Sequence, residues 1–254
     1  MTWTLKLEIK RFSTVYNENM IDTAAVRALQ KIPLFKNLNH ANLKRIASLA
    51  RVHEAPQGSL IFKKQTSGNH LFIVLSGKIK IYSEAVSAQR RKTFAYLEAG
   101  SFFGEMTLLD RKGHSLTACA LQDSRLMTIS KQEFKRLILN DPRFAYSILE
   151  TLIERLRQAN EEIESQAFRS LYGRVCKKIL ELMAGKGNAS LRAETVMPMP
   201  ITHVELAELT GTAREIVTKI LSSLRRQKII SYEGHRIKVI SPTKLQSLAQ
   251  ENLN

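Results

Sequence analysis

Residues 202–221 read Thr202-His-Val-Glu-Leu-Ala-Glu-Leu-Thr-Gly211-Thr-Ala-Arg-Glu-Ile-Val-Thr-Lys-Ile-Leu221, and this stretch decides the reading of the 254-residue chain. Thr202 is a natural helix N-cap, and Glu205 three residues on completes a capping box. Counting His203 as the first residue of a helix-turn-helix unit, Ala207 falls where two helices cross too closely for a larger side chain. Gly211 falls in the turn, where a left-handed backbone is cheap only for glycine. Leu206, Val217 and Ile220 supply an apolar wedge between the helices, which leaves Arg214, Glu215, Thr218 and Lys219 projecting from the second. An ordinary helical hairpin with a charged, solvated face would not need a small residue, a glycine and apolar residues all in register. The stretch therefore reads as a DNA-binding unit. Downstream, Ile229–Ile240 reads as a hairpin turning at Gly234, a "wing".

Moving outward, six of the eleven glycines (58, 68, 77, 100, 104 and 113) fall in one window among short runs rich in Ile, Val, Phe and Tyr. Leu60–Phe62, Leu71–Leu75, Ile79–Tyr82, Thr93–Leu97, Leu116–Ala120 and Leu126–Ile129 read as strands of an antiparallel barrel or sandwich. A helical pattern with Leu38, Leu43, Ile46 and Leu49 on roughly one face precedes them, and a helix over Lys131–Leu139 follows. Asp141-Pro142 then opens a long helix, with an N-cap and a proline at the first helical position. Leu149, Leu152, Leu156, Ala159 and Ile163 recur along it at spacings of 3 and 4. That seam fits a helix packed on its own barrel or a dimer interface, and the helix's run towards Phe168 favours the dimer. Loops at Gly185-Lys-Gly187 and at Pro198 and Pro200 surround a short hairpin.

Composition sets the outer bounds. Lys and Arg number 39 against 23 Asp and Glu, a formal net charge of +16. This favours an anionic partner without distinguishing nucleic acid from a membrane surface. Residues 169–254 hold 14 basic and 7 acidic side chains, so the excess is denser there but not confined there. Cys119 and Cys176 are too few for a disulfide framework or a four-thiolate metal site. No run approaches the roughly 18 apolar residues of a membrane span, and Lys6, Glu8, Lys10 and Arg11 break the apolar core a signal peptide would need. A cytoplasmic protein is expected. No nucleophile–base arrangement or metal-ligand spacing is legible, so neither an enzyme nor a metal site is expected. His40, His53 and His70 read as surface or capping residues rather than haem ligands.

Barrel, long helix and winged helix-turn-helix in this order resemble the cyclic AMP receptor protein/fumarate–nitrate regulator family of bacterial transcription factors, over about residues 21–245. Ile32-Pro-Leu-Phe-Lys-Asn-Leu resembles the family's opening, Phe103-Gly104-Glu105-Met106 the start of its phosphate-binding cassette, and Ile201–Leu221 its DNA-reading unit. The resemblance implies an α+β fold: an N-terminal extension (1–20), a cyclic-nucleotide-binding-like jelly-roll barrel (21–140), a dimerisation helix (141–168) and a winged helix-turn-helix domain (169–254). It implies a homodimeric, effector-responsive regulator on a palindromic operator in double-stranded DNA, with RNA polymerase as a further partner. Arg214, Glu215, Thr218 and Lys219 are the expected base readers. Arg can bond guanine O6 and N7, and Glu can accept from a cytosine amine. Where the family has a second Arg this chain has Lys219, which lacks the guanidinium fork. Thr202, Thr212, Arg225, Arg226, Lys228 and Arg236 are expected on DNA phosphates, which set register rather than sequence.

For the effector, the resemblance implies Gly104, Glu105, His114, Ser115 and Asn160. The family's cassette uses an Arg before the Ser as its phosphate clamp, and here His114 stands in that place, with Arg111 and Lys112 as the nearby cations. On the long helix, cyclic-AMP-responsive members place Thr-Ser where this chain has Ala159-Asn160. Cyclic AMP, another anionic or nucleotide effector, and operation without a small molecule all remain open at this point. The expected switch reorients the DNA-binding domains about a hinge near Ala167–Leu171.

Overall fold

The computed structural model describes residues 26, 29, 30, 32–85, 90–110, 112–184, 195–197 and 200–250. The N-terminal extension, Arg111, the Gly185–Gly187 loop and Pro198 lie outside these residues. By its internal packing the chain forms two compact units, one of residues 1–81 and 95–151, the other of residues 82–94 and 152–254.

The first unit begins with a short turn over Pro33–Phe35 and helix α1 (His40–Leu49). The Asn39 side chain accepts from the Asn42 amide at 2.8 Å and so caps α1. Two four-stranded sheets follow. The strands are β1 (Arg51–Ala55), β2 (Leu60–Phe62), β3 (His70–Ser76), β4 (Ile79–Ala85), β5 (Arg90–Leu97), β6 (Phe102–Phe103), β7 (Thr117–Ala120) and β8 (Ser124–Ser130). One sheet has the order β1-β8-β3-β6, the other β2-β7-β4-β5. Ala55, Val74, Ile79, Phe103, Ala118, Ala120 and Leu126, drawn from both sheets, share one core. This is the packing of an antiparallel sandwich with non-sequential neighbours.

Helix α2 (Glu105–Asp110) interrupts the strands after β6, and α3 (Lys131–Asn140) follows β8. Ser130 caps α3 by accepting from the Glu133 amide at 3.3 Å. The Glu133 carboxylate, itself buried, takes Arg45 at 3.1 Å and Arg136 at 2.8 Å. Burial alone would raise its pKa, but the hydrogen bonds and charges of the two arginines outweigh that and hold it below the ordinary carboxylate value. Phe144 stacks on Phe35 at 6.2 Å and meets Phe134 edge-on at 5.8 Å, which fixes the start of the long helix α4 (Pro142–Phe168) on the first unit. Asp141 closes α3 and opens α4, its carboxylate accepting from the Arg143 amide at 3.1 Å.

The second unit holds α5 (Leu171–Ala184), β9 (Thr195–Val196), α6 (His203–Thr210), α7 (Arg214–Arg226), β10 (Ile230–Glu233), β11 (Arg236–Val239) and α8 (Pro242–Ala249). Strands β10, β11 and β9 form a three-stranded antiparallel sheet in that order. Its core joins Val175, Cys176 and Ile179 of α5 to Leu206 and Ala207 of α6. Val217, Ile220, Leu221 and Leu224 of α7, Ile230, Ile237 and Val239 of the sheet, and Leu245 of α8 complete it. Burying side chains of that size yields about 1.5–3 kcal/mol each before the entropy of ordering them is counted. This core is what holds so short a helix as α6 in place.

Two strands escape the sequence reading. β1 carries Arg51, His53 and Glu54, so it lacks an apolar run, and β6 has only two residues. Both owe their strand conformation to the partners beside them, β8 and β3.

Candidate nucleic-acid interface and sensing cassette

Helix α6 starts as its sequence dictates. The Thr202 hydroxyl accepts from the Glu205 amide at 3.1 Å, and the Glu205 carboxylate accepts from the Thr202 amide and hydroxyl, each at 2.8 Å. The helix ends at Gly211, whose φ of +71° is the left-handed conformation glycine adopts at little cost. Leu206 and Val217 are fully buried between α6 and α7, and Ala207 is buried where the helices meet. With Val217, Ile220, Leu221 and Leu224 facing inward, Arg214, Glu215 and Lys219 stand exposed on the other side of α7. Arg225 and Arg226 are exposed in its last turn, Lys228 follows them, and Arg236 is exposed on β11 beside the wing turn at Gly234. One amphipathic helix thus carries the base-contact types at its start and cations at its end.

The three threonines assigned to DNA differ from one another. Thr202 spends its hydroxyl proton on Glu205. Thr218 donates to the Arg214 carbonyl at 3.0 Å and lies 2.8 Å from His203 Nδ1. Thr212 is half-buried, its amide donating to the Ala207 carbonyl at 3.0 Å. The His203–Thr218 pair was not visible in the sequence, because its members are 15 residues apart and meet only once the helices cross.

Residues 82–94 of the β4–β5 hairpin belong to the same compact unit as these helices. Lys92 Nζ donates to the Leu209 carbonyl at 2.7 Å and to Glu162 of α4 at 2.6 Å, and Thr93 Oγ1 donates to Glu208 at 3.2 Å. The lysine thereby supplies a carbonyl at the C-terminus of α6 with a partner and a favourable charge. Burial pushes the Glu162 pKa up. Hydrogen bonds from Lys92 and Gln166 and the charges of Lys92 and Lys178 pull it further down, to below its ordinary value.

The cassette in the first unit is built differently. Gly104 has φ +86°, which favours glycine, and a Cβ there would make a tight 3.1 Å approach to the His70 carbonyl oxygen. Glu105, 3% exposed, opens α2. His114, 5% exposed, stacks on Phe62 with ring centroids 3.6 Å apart and planes 5° from parallel. Phe62 in turn meets Phe72 and Phe103 at 5.6 and 5.7 Å. The His114 backbone is stapled to the Gln65–Thr66 turn by hydrogen bonds of 2.7 and 2.9 Å. Loss of hydration pushes the His114 pKa below the ordinary histidine value, which favours the neutral ring. Ser115 is exposed, with its hydroxyl 3.4 Å from the Met106 sulfur. Among the described residues, His114 therefore offers a stacked imidazole in place of the guanidinium that the resemblance implies for a phosphate clamp. Of the two nearby cations, Lys112 is among the described residues and is exposed. Asn160, the remaining expected contact, is exposed on α4 and belongs to the other unit.

The apolar row left uncovered on α4 consists of Tyr146, Leu149, Ile153, Leu156 and Ile163. Leu152 is half-buried and Ala159 exposed. The expected row and the observed one share residues 149, 156 and 163 but differ by one residue between them. Ile153 is the more exposed neighbour of Leu152, and Ala159 and Asn160 are both exposed.

Residues 52–141 match the family described as cyclic nucleotide-binding domain, and residues 173–248 the Crp-like helix-turn-helix domain. The cyclic AMP receptor protein of Thermus thermophilus is 31% identical over 217 residues, covering 85% of this chain and 96% of that protein. The CRP-like cAMP-activated global transcriptional regulator of Mycobacterium tuberculosis is 24% identical over 222 residues, covering 87% and 98%. The solved structure of the c-di-GMP responsive global regulator CLP of Xanthomonas campestris superimposes with a TM-score of 0.69 at 21% identity, covering 80% of this chain and 99% of that one. The fold thus has a counterpart among solved structures. The chain belongs to the cyclic AMP receptor protein/fumarate–nitrate regulator family of transcription regulators, with an effector-binding type of domain ahead of a helix-turn-helix.

Proposed function

We propose that the protein is a cytoplasmic homodimer that reads a palindromic operator through two copies of α7. The observation that carries this is the division of α7 into a buried apolar face and an exposed face bearing Arg214, Glu215 and Lys219. Arg214 pairs with a guanine, Glu215 with a cytosine amine, and Lys219 with a guanine or a phosphate one turn on. Thr212, Arg225, Arg226, Lys228 and Arg236 contact phosphates and set the register. The uncovered row on α4 is the dimer seam, with Leu149, Ile153, Leu156 and Ile163 at its centre, flanked by Leu152 and Ala159, and a two-fold axis there spaces the half-sites by about one DNA turn. RNA polymerase is the further partner that a regulator of this kind acts on. Selection of duplexes from a random pool, followed by gel shift against selected and unselected DNA, tests the reading. Enrichment of a two-fold symmetric site supports it, and a lack of sequence preference refutes it.

The first unit is the regulatory half. Cyclic nucleotides are the effector class suggested by the family match and by the names of the relatives from Thermus thermophilus and Mycobacterium tuberculosis. The His114–Phe62 stack favours a specific departure: an effector not clamped by its phosphate, or DNA binding without one. Calorimetry of the purified protein against cyclic AMP, cyclic GMP and cyclic di-GMP decides between them. Micromolar binding of cyclic AMP would overturn the departure.

A further inference from the structure

We infer that His203 is a positioning residue for base reading, which acts by holding Thr218 and thereby the first turn of the recognition helix. The inference rests on the reading that α7 enters the DNA groove. His203 Nδ1 lies 2.8 Å from Thr218 Oγ1, and Thr218 Oγ1 lies 3.0 Å from the Arg214 carbonyl. A hydroxyl has one proton. Donated to the Arg214 carbonyl, that proton leaves only the oxygen's lone pairs for the imidazole, so Nδ1 must carry the hydrogen and donate. The tautomer of His203 follows from the chain of bonds.

The relay runs from the first residue of α6, through a side chain in the second turn of α7, to the backbone of the residue that begins α7. Arg214 follows Ala213, whose side chain makes no capping hydrogen bond, so the first turn of α7 has no cap of its own. The amides of Ile216 and Val217 hold that turn to the Ala213 carbonyl, each at 3.2 Å, and the His203–Thr218–Arg214 relay adds the tie from α6 to the backbone from which the Arg214 guanidinium projects. Thr218 is then not a reader of bases. Its hydroxyl is committed within the protein, and its contribution to specificity passes through Arg214.

The test is a double-mutant cycle on the selected operator, with thermal unfolding followed in parallel. Wild-type protein must first distinguish its operator from random duplex; if it does not, the reading of α7 fails, and the relay is not what has been refuted. Given that distinction, His203→Ala and Thr218→Val are each expected to lower operator affinity about threefold to tenfold. Binding to random duplex stays as it was, and the double variant is no weaker than either single one. His203→Asn, which keeps a donor near the Nδ1 position, and Thr218→Ser, which keeps the hydroxyl, are expected to restore affinity and the preference for guanine at the Arg214 base pair. Additive losses would overturn the inference. So would an operator affinity that survives Thr218→Val but falls with Thr218→Ser, the signature of a threonine methyl touching a base. Equal losses on operator and random DNA would also overturn it, since they would mark a general weakening of the fold.

Discussion

The helix-turn-helix and the cassette of the barrel deal with their polar side chains in opposite ways. In α7 the residues suited to a ligand, Arg214, Glu215 and Lys219, stand in solvent on a helix whose other face is core. In the cassette, Glu105 and His114 are buried, and the histidine is packed against an aromatic cluster. A polar side chain left exposed keeps its hydration until a partner replaces it. One that is buried must already be satisfied by the protein. The contrast teaches that the polar face of α7 is open to a ligand, whereas Glu105 and His114 of the cassette are already packed within the protein.

The largest effect expected on that contrast comes from Arg214→Ala. It should cost about 1–3 kcal/mol on the selected operator, with little change on random duplex, as read by titration at fixed salt. A uniform loss on both would place Arg214 among the phosphate contacts and weaken the distinction between readers and positioners. Next, Gly211→Ala should lower stability by about 1–2 kcal/mol in urea unfolding, because alanine at φ +71° is strained whatever the space around it. Lys92→Met should cost about 1 kcal/mol. It removes the cation at the Leu209 carbonyl, but the Glu162 partner is 36% exposed and solvent screens the pair. A Lys92→Met variant as stable as wild type would show that the contact carries no weight.

The smallest effect sharpens the cassette side. Burial lowers the pKa of His53, His70 and His114, with the charge of Arg51 adding to the shift of the first two. Between the lowered folded value and the ordinary value of 6.5, the unfolded chain binds more protons than the folded one. Stability is therefore fully present above about pH 6.5 and is lost progressively as pH falls below it. His114→Phe should flatten part of that acid limb in melting temperature measured from pH 7.5 to 5. A limb as steep as in wild type would show that His114 titrates normally and is not held neutral.

What the sequence revealed and what it hid follow the same physics. The capping box, the turn glycine and the wedge of Leu206, Val217 and Ile220 are local patterns, each set by residues a turn or two apart, and all were legible. The Gly104-Glu105 start of the cassette was legible for the same reason. The His203–Thr218 pair, the Lys92 contact with Leu209 and the His114–Phe62 stack join positions 15, 117 and 52 residues apart, and no periodicity reports on them. Ile153 was missed because Leu149, Leu156 and Ile163 fit two overlapping rows, and only the burial of the helix separates them. β1 was missed because its strand character comes from β8, not from its own polar residues.

The two-faced build of α7 bears on how a protein of this kind can change its targets. Arg214, Glu215 and Lys219 stand outside the buried core, so on the proposed reading exchanging them would recode the operator while leaving the fold's stability almost untouched. New binding sites are then within reach by single steps, each a viable protein. Thr218 is the exception along this face. Bound to His203 and to the Arg214 backbone, it links the two helices to the reading surface, so a change there would act on specificity through Arg214 rather than by rewriting a base contact.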